Sequence, residues 1–339
     1  LLTEMASWRW VMFVNVPIGA AVWLVGRVVL QETPTRHRRL DLFGAVTSTA
    51  GMGGVILGLV EAGAAGWTDP VSLGAFALGA LMLAVFVHNE GRVDEPILPL
   101  RLFAHATRTT GNVARGLVYA GFYGMFFFMS QYLQDVRALS PVMTGFVFLP
   151  IPLAIFASSQ LMSRVLVKVM PHKVLMLSGT GATATAMGLA TMLGPHTSYE
   201  EIIFWLVLLG TGAGVAMVSL MSASLADVAP GDEGAASGLV NVSQQLGAAL
   251  GLAVLVAFFG ALSRHGQIGP AQVAGYVHAL DDVFALAAGL TVLALVLIAA
   301  FVRTLRAPAH ATADTTVTTF ASEEGRQVLE EVPVLAEAG

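Results

Sequence analysis

Apolar positions along the chain fall into long unbroken runs separated by short polar connections. Nine runs are long enough to cross a bilayer, which takes about 20 mostly apolar residues at about 1.5 Å of rise each. They cover Trp10–Leu30, Leu42–Ala62, Val71–Val87, Gly111–Leu133, Val142–Leu166, Val174–Leu193, Ile202–Asp227, Ala235–Leu262 and Val283–Val302. Segments such as Gly121–Ser130 (GFYGMFFFMS) and Leu290–Phe301 (LTVLALVLIAAF) do not alternate between apolar and polar residues. Barrel strands would alternate, so the pattern predicts helices.

Composition fixes the solvent. Hydrophobic residues make up 56% and charged residues 12% of 339 residues, and mean hydropathy is +0.75. A soluble globule carries about a quarter charged residues, so this chain has too few to cover a water-facing surface. It reads as an all-α, multi-pass membrane protein whose main partner is the lipid bilayer. The net charge of −5 gives no basic face for nucleic acid. With no cysteine, disulfide scaffolds, thiolate metal sites and cysteine nucleophiles are excluded.

Basic residues favour the cytoplasmic side of membrane proteins. With the first span ending inside, fourteen of the seventeen Lys and Arg residues are inner, and only Arg9, Arg137 and Arg264 are outer. The inner loop Asp227–Gly234 (DVAPGDEG) departs from this pattern, being acidic with no base of its own. The expected end of the chain is cytoplasmic, in a plasma membrane. An odd number of spans starting outside, from Leu1 and with no signal peptide, reads as a fragment that lacks N-terminal spans.

Connection lengths divide the chain into blocks. Residues 1–30 read as the last helix of an N-terminal bundle, and 31–90 as a basic linker with an inserted helix pair. Residues 91–306 read as a six-helix bundle opened by a Pro-containing connection, and 307–339 as a disordered cytoplasmic tail, rich in Thr, Ala and Glu. Carriers built from repeated bundles place their substrate path between the bundles.

Several segments point to one family. Trp8–Gly19 (WRWVMFVNVPIG) resembles the entry to the sixth helix of fourteen-helix drug:proton antiporters of the major facilitator superfamily. Asp41-Leu-Phe-Gly44 is similar to the start of their seventh helix, and Asp94–Phe103 (DEPILPLRLF) to the linker before their ninth. Tyr132–Pro150 and Gly234–Val254 resemble their ninth-to-tenth and thirteenth-helix signatures. These matches occur in order over most of the chain. The resemblance implies a major facilitator fold, here helices six to fourteen, with alternating access between two bundles. It also implies export of a lipophilic drug or antibiotic in exchange for protons. The family's fifth-helix Gly/Pro motif and the Gly/Asp/Arg loop between its second and third helices are not in this chain.

The eighth run is the most polar. Ser237, Asn241, Gln244, Gln245 and Ala248 share one helical stripe about 100° wide. Amides facing lipid are costly, so the stripe faces protein or a watery cavity. It either lines a substrate path or bonds neighbouring helices. Arg115, one turn inside the expected fourth span, most simply snorkels to the interface, and otherwise lines the path or pairs with an acid of the missing half. Gln131, Gln134 and Asp135 form an outer cluster, read as a solvated helix end or an outer gate. Pro150 and Pro152 should bend the fifth span, and Asn15 and Pro17 admit the same reading in the first. Gly210-xxx-Gly214 and Gly247-xxx-Gly251 have the spacing of close helix packing. The string Gly210–Gly214 lacks the Gly-Lys-Ser/Thr ending of a nucleotide loop, and Asn241-Val-Ser243 is a chance sequon, since it lies inside a span.

Acidic residues Asp41, Glu61, Glu90, Asp135, Asp227, Asp281 and Asp282 all fall at span ends or in loops. Proton coupling needs a titratable group in a buried site, so the coupling carboxylate is expected in the absent N-terminal helices. The eight histidines show no ligand spacing, and neither metal nor cofactor is expected. A membrane enzyme acting on a lipid-linked substrate is the alternative. Its only acidic candidate, Asp227–Glu233, is expected to have no basic partner for a phosphate.

Overall fold

The computed structural model describes residues 9–29, 41–93, 96–194, 196–229, 231–265 and 273–302. The expected basic linker Gln31–Leu40 and the tail 307–339 lie outside these residues, as does the start of the chain. Each of the nine expected spans is helical. The helices are α1 (Asn15–Val29, after a short turn of helix Arg9–Phe13), α2 (Leu42–Ala64), α3 (Pro70–Glu90) and α4 (Ala106–Gln131). They continue with α5 (Pro141–Val169), α6 (His172–Ala190), α7 (Tyr199–Ser224), α8 (Glu233–His265) and α9 (Val273–Phe301).

Seven helices among the described residues are long and apolar enough to cross a membrane. The other two are α1, with 15 residues, and α6, with 19. Hydroxyls and glycines dilute α6, and it has little need of an apolar surface. It packs between α7 and α9, with Thr180 and Thr183 fully buried. Thr183 satisfies its hydroxyl on its own helix, at the Gly179 carbonyl (2.9 Å).

Helix starts follow local chemistry. Asp69 caps α3 by accepting from the Val71 and Ser72 amides, with Pro70 at the first helical position. Ser140 with Pro141 does the same for α5, and Ser198 caps α7. Asp41 accepts from the Gly44 amide (2.8 Å) and from Asn89 Nδ2 (2.6 Å), joining the start of α2 to the end of α3. A Cβ on Gly44 would run into that carboxylate, which accounts for the Asp-Leu-Phe-Gly pattern.

Helix α4 packs against α8, α9 and α7 at the centre of the six-helix set α4–α9. Toward its far end the core holds Met125, Phe128, Tyr132, Trp205, Leu206 and Phe284. Toward its beginning a second cluster holds Ala114, Val118, Met176, Leu220 and Ile298. Helices α2 and α3 pair closely, Gly54 against Gly79, where an added Cβ would lie 2.8 Å from the opposite Cα. The pair then leans on α8, with Gly63 beside Ala257 and Gly260. Helix α1 buries none of its residues.

Candidate functional site

Two polar seams join α4 to α8. In the first, Asn112 is buried and accepts from Ser243 Oγ (3.2 Å) while donating to the Arg108 carbonyl (3.0 Å). In the second, Arg115 Nη2 donates to Gln244 Oε1 (2.7 Å) and to the Tyr119 hydroxyl (3.4 Å). Its Nη1 donates to the Met217 carbonyl of α7 (3.1 Å), and the guanidinium lies 5.0 Å from the centre of the Tyr119 ring. Only 5% of Arg115 is exposed.

The snorkelling expected of Arg115 is therefore overturned. Nine residues separate it from the start of α4 at Ala106, a depth of about 14 Å. Reaching outward would forfeit hydrogen bonds to three neighbours, so the side chain stays in the seam. The close approach that allows this comes from small residues. A Cβ on Gly247 would lie 2.5 Å from the Gly116 Cα, and Gly251 faces Ala120. Gly210 and Gly214 likewise face Ile151, Ala154, Ile155 and Ser158 of α5.

The predicted polar stripe on α8 divides. Gln244 turns into the seam, whereas Ser237, Asn241 and Gln245 are exposed. Asn241 Nδ2 reaches only the Ser237 carbonyl of its own helix (3.3 Å).

At the other end of the bundle, Tyr276 of α9 donates between Gln131 Oε1 (3.1 Å) and Asp135 Oδ2 (3.2 Å). A widened π turn over Tyr132–Val136 carries Asp135, and such turns re-aim side chains. Helix α9 starts ten residues earlier than Val283, the start expected from the sequence. Asp281 therefore sits two turns inside it rather than at its end, with His278 Nδ1 at 3.6 Å and its own Oδ1 buried without a hydrogen bond among the described residues.

Helix α5 breaks at Leu149. Pro150 lacks the amide that would reach the Phe146 carbonyl, and the Leu149 amide takes that carbonyl instead (3.2 Å). Pro152 follows two residues later, within the first turn of the next segment. In α1, a break at Val14 precedes Asn15 and Pro17, both exposed.

The acidic loop after α7 does have basic partners, supplied by a distant connection. Arg101 forms two hydrogen bonds to Asp232, Nε to Oδ2 (2.9 Å) and Nη2 to Oδ1 (2.7 Å). Asp232 thereby raises the Arg101 pKa above its ordinary value. His105 Nε2 lies 3.2 Å from Asp227. Buried Arg108 donates to the carbonyls of Leu102 (2.7 Å) and Asp227 (3.1 Å). Leu102 completes the joint by packing on Ala236 and Leu239, and Glu90 accepts from the Leu98 amide (3.0 Å). Residues 96–105 thus tie α3, α4 and the α7–α8 loop together, and Asp227 and Asp232 of that loop are both engaged. Among the described residues no group of three potential ligands could hold a metal ion.

Sequence reasoning singled out neither Asn112, Tyr276, nor the Arg101–Asp232 pair. The buried Asn112 lies one turn before Arg115, a spacing that would have flagged it.

Comparison with known proteins agrees with this architecture. Residues 1–252 match the family model of the Major Facilitator Superfamily. The chain is 37% identical over 306 residues to the puromycin resistance protein of Streptomyces alboniger, covering 88% of this chain and 61% of that protein. It is 31% identical over 272 residues to the tetracenomycin C resistance and export protein of Streptomyces glaucescens, covering 80% of this chain and 50% of the relative. It is also 31% identical over 303 residues to the lincomycin resistance protein of Streptomyces lincolnensis, covering 87% and 61%. The chain thus spans between half and about three fifths of the length of these relatives. With its bundle of membrane-spanning helices and a match over most of its length, this chain is a multi-pass membrane protein of the major facilitator superfamily.

Proposed function

We propose that the protein exports lipophilic drugs or antibiotics across the plasma membrane by alternating access, in exchange for protons, and is not an enzyme. The reading is supported by family membership and by relatives named for antibiotic resistance or export. The observation that carries it is the exposed row Ser237, Asn241 and Gln245 on an apolar membrane helix. Uncharged donors and acceptors there suit a water-filled path facing a second bundle. Arg115, Gln244 and Gln131 belong to the same path, with Pro150, Pro152, Asn15 and Pro17 as bending points. Residues 31–90 form the linker and inserted helix pair, and 91–306 the C-terminal bundle. No described span carries a carboxylate near its centre, so the proton-coupling acid is assigned to helices by which the relatives exceed this chain.

The test is drug susceptibility of cells expressing the full-length protein. Asn241→Leu and Gln245→Leu should change which compounds are tolerated while the protein persists in the membrane. Unchanged tolerance with normal expression would overturn the path. Orientation is read separately, since the chain has no cysteine. A single cysteine at Ala64 should label from outside and one at Arg92 from inside; the reverse would overturn the topology.

A further inference from the structure

Arg115 is a buried cation in neutral company. Its acceptors are an amide oxygen, a phenol and a backbone carbonyl. Among the described residues no Asp or Glu forms an ion pair with it. Its Nε is buried and without a hydrogen bond there. A guanidinium cannot shed its proton to escape this environment, and charge inside a membrane bundle is costly and ordinarily marks a functional group.

One turn beyond Arg115 the Tyr119 and Tyr123 rings stack with centroids 6.1 Å apart, and Tyr123 is 42% exposed. On the facing helix, Gln244 holds the guanidinium while Asn241 and Gln245 stand open one turn before and one residue after.

We propose that Arg115 is the anion-recognition point of the substrate path, taking a carboxylate or phenolate on a flat lipophilic substrate. This rests on the path reading above. In the unliganded protein Gln244 Oε1 stands in for the anion at 2.7 Å. An arriving oxyanion replaces this neutral acceptor with a charged one, and charge-assisted bonds are about twice as strong. Rotation of the freed Gln244 amide turns its NH2 toward the same oxyanion, adding a second donor. Tyr123, stacked on the buried Tyr119, supplies the aromatic surface on which the substrate's ring system rests.

Fluorescein and rhodamine 123 share a xanthene skeleton and carry opposite charge, and so form a matched probe pair. Binding of each to the purified full-length protein is read by fluorescence polarisation. The native protein should prefer fluorescein by about ten-fold. Arg115→Gln should abolish that preference, and Arg115→Lys and Gln244→Leu should reduce it. Equal binding of the two dyes to the native protein, or a preference that survives in folded Arg115→Gln, would overturn the assignment. If Arg115→Gln does not fold, an undiminished preference in both other variants overturns it. Failure of the path reading looks different: Asn241→Leu and Gln245→Leu would then leave the binding of both dyes unchanged.

Discussion

Arg101 and Asp232, 131 residues apart, meet in two parallel hydrogen bonds of 2.9 and 2.7 Å. The pair is unequal in setting: the Arg101 side chain is 70% exposed and that of Asp232 only 8%. It belongs to a joint in which one connection, running from the end of α3 to the start of α4, brings Arg101 to Asp232 and His105 to Asp227 of the acidic α7–α8 loop. Two connections far apart along the sequence are thereby joined by an ion pair that neutralises Asp232, on one side of the bundle.

A charge exchange tests this joint. Arg101→Asp and Asp232→Arg should each loosen the α7–α8 loop, read as faster thiol labelling of a cysteine placed at Val228. The double variant should restore slow labelling. Equal labelling of the singles and the native protein would show that Leu102 and Arg108 hold the loop without the ion pair.

The contact between α4 and α8 depends on the absence of a side chain at Gly247. Overpacking a filled contact costs about 1–3 kcal/mol, and a Cβ there would lie 2.5 Å from the Gly116 Cα. Gly247→Ala should lower the thermal unfolding temperature. Gly238, on the same helix, has nothing within 4 Å of an added Cβ. Gly238→Ala should be neutral, or stabilise by about 0.5–1 kcal/mol through helix propensity. Differential scanning of both purified variants decides the matter, and similar losses in the two would contradict the packing.

Much of the fold is legible in the sequence, because a membrane helix must be a long apolar run and little else satisfies its backbone. Asp41, Asp69 and Ser198 stand where their helices begin for equally local reasons. The site residues are less legible. Position along a helix gives Arg115 its depth, but its partner Gln244 is 129 residues away, and nothing local says that the side chain turns inward. Asp281 was assigned to a span end because the polar residues His278, Asp281 and Asp282 end the apolar run. The backbone nevertheless stays helical back to Val273, where Tyr276 finds partners on α4. The acidic loop had no visible partner, since its partners lie across the fold.

Ala138 ends the π turn of α4 with a φ of 52°, a left-handed conformation that costs an L residue about 1–2 kcal/mol. The geometry is held by the Leu139 amide donating to the Leu133 carbonyl (3.0 Å). Ala138→Gly should therefore stabilise the protein by about 1 kcal/mol, and Ala138→Val should destabilise it. Thermal unfolding of the pair is the measurement. A glycine variant less stable than the native protein would mean that unfolded-chain entropy outweighs the relief.

Tyr276 joins the start of α9 to the end of α4 through a single hydroxyl. Tyr276→Phe keeps the ring, which packs edge-on against Phe259 with centroids 5.7 Å apart, and deletes only the bonds to Gln131 and Asp135. Since both of those groups retain access to water, the loss should be about 0.5–1.5 kcal/mol. If this contact opens during transport, the variant should also bind dye at lower concentration from the outer side. Normal outer-side binding with reduced stability would assign the hydroxyl to packing alone.

Pro150 gives the sharpest separation between packing and motion. With alanine in its place, the residue-150 amide can reach the Phe146 carbonyl, and the break at Leu149 loses its cause. Removing an internal proline relieves up to about 3 kcal/mol, so Pro150→Ala should raise the unfolding temperature. A straighter α5 would also shift Ile151, which lies against Gly210 of α7 with its carbonyl 2.7 Å from where a Cβ would sit. If the bend serves the rocking of the bundle, the more stable variant should transport dye more slowly in proteoliposomes while binding it as well as before. Faster or unchanged transport by the stabilised protein would reduce the bend to a feature of packing.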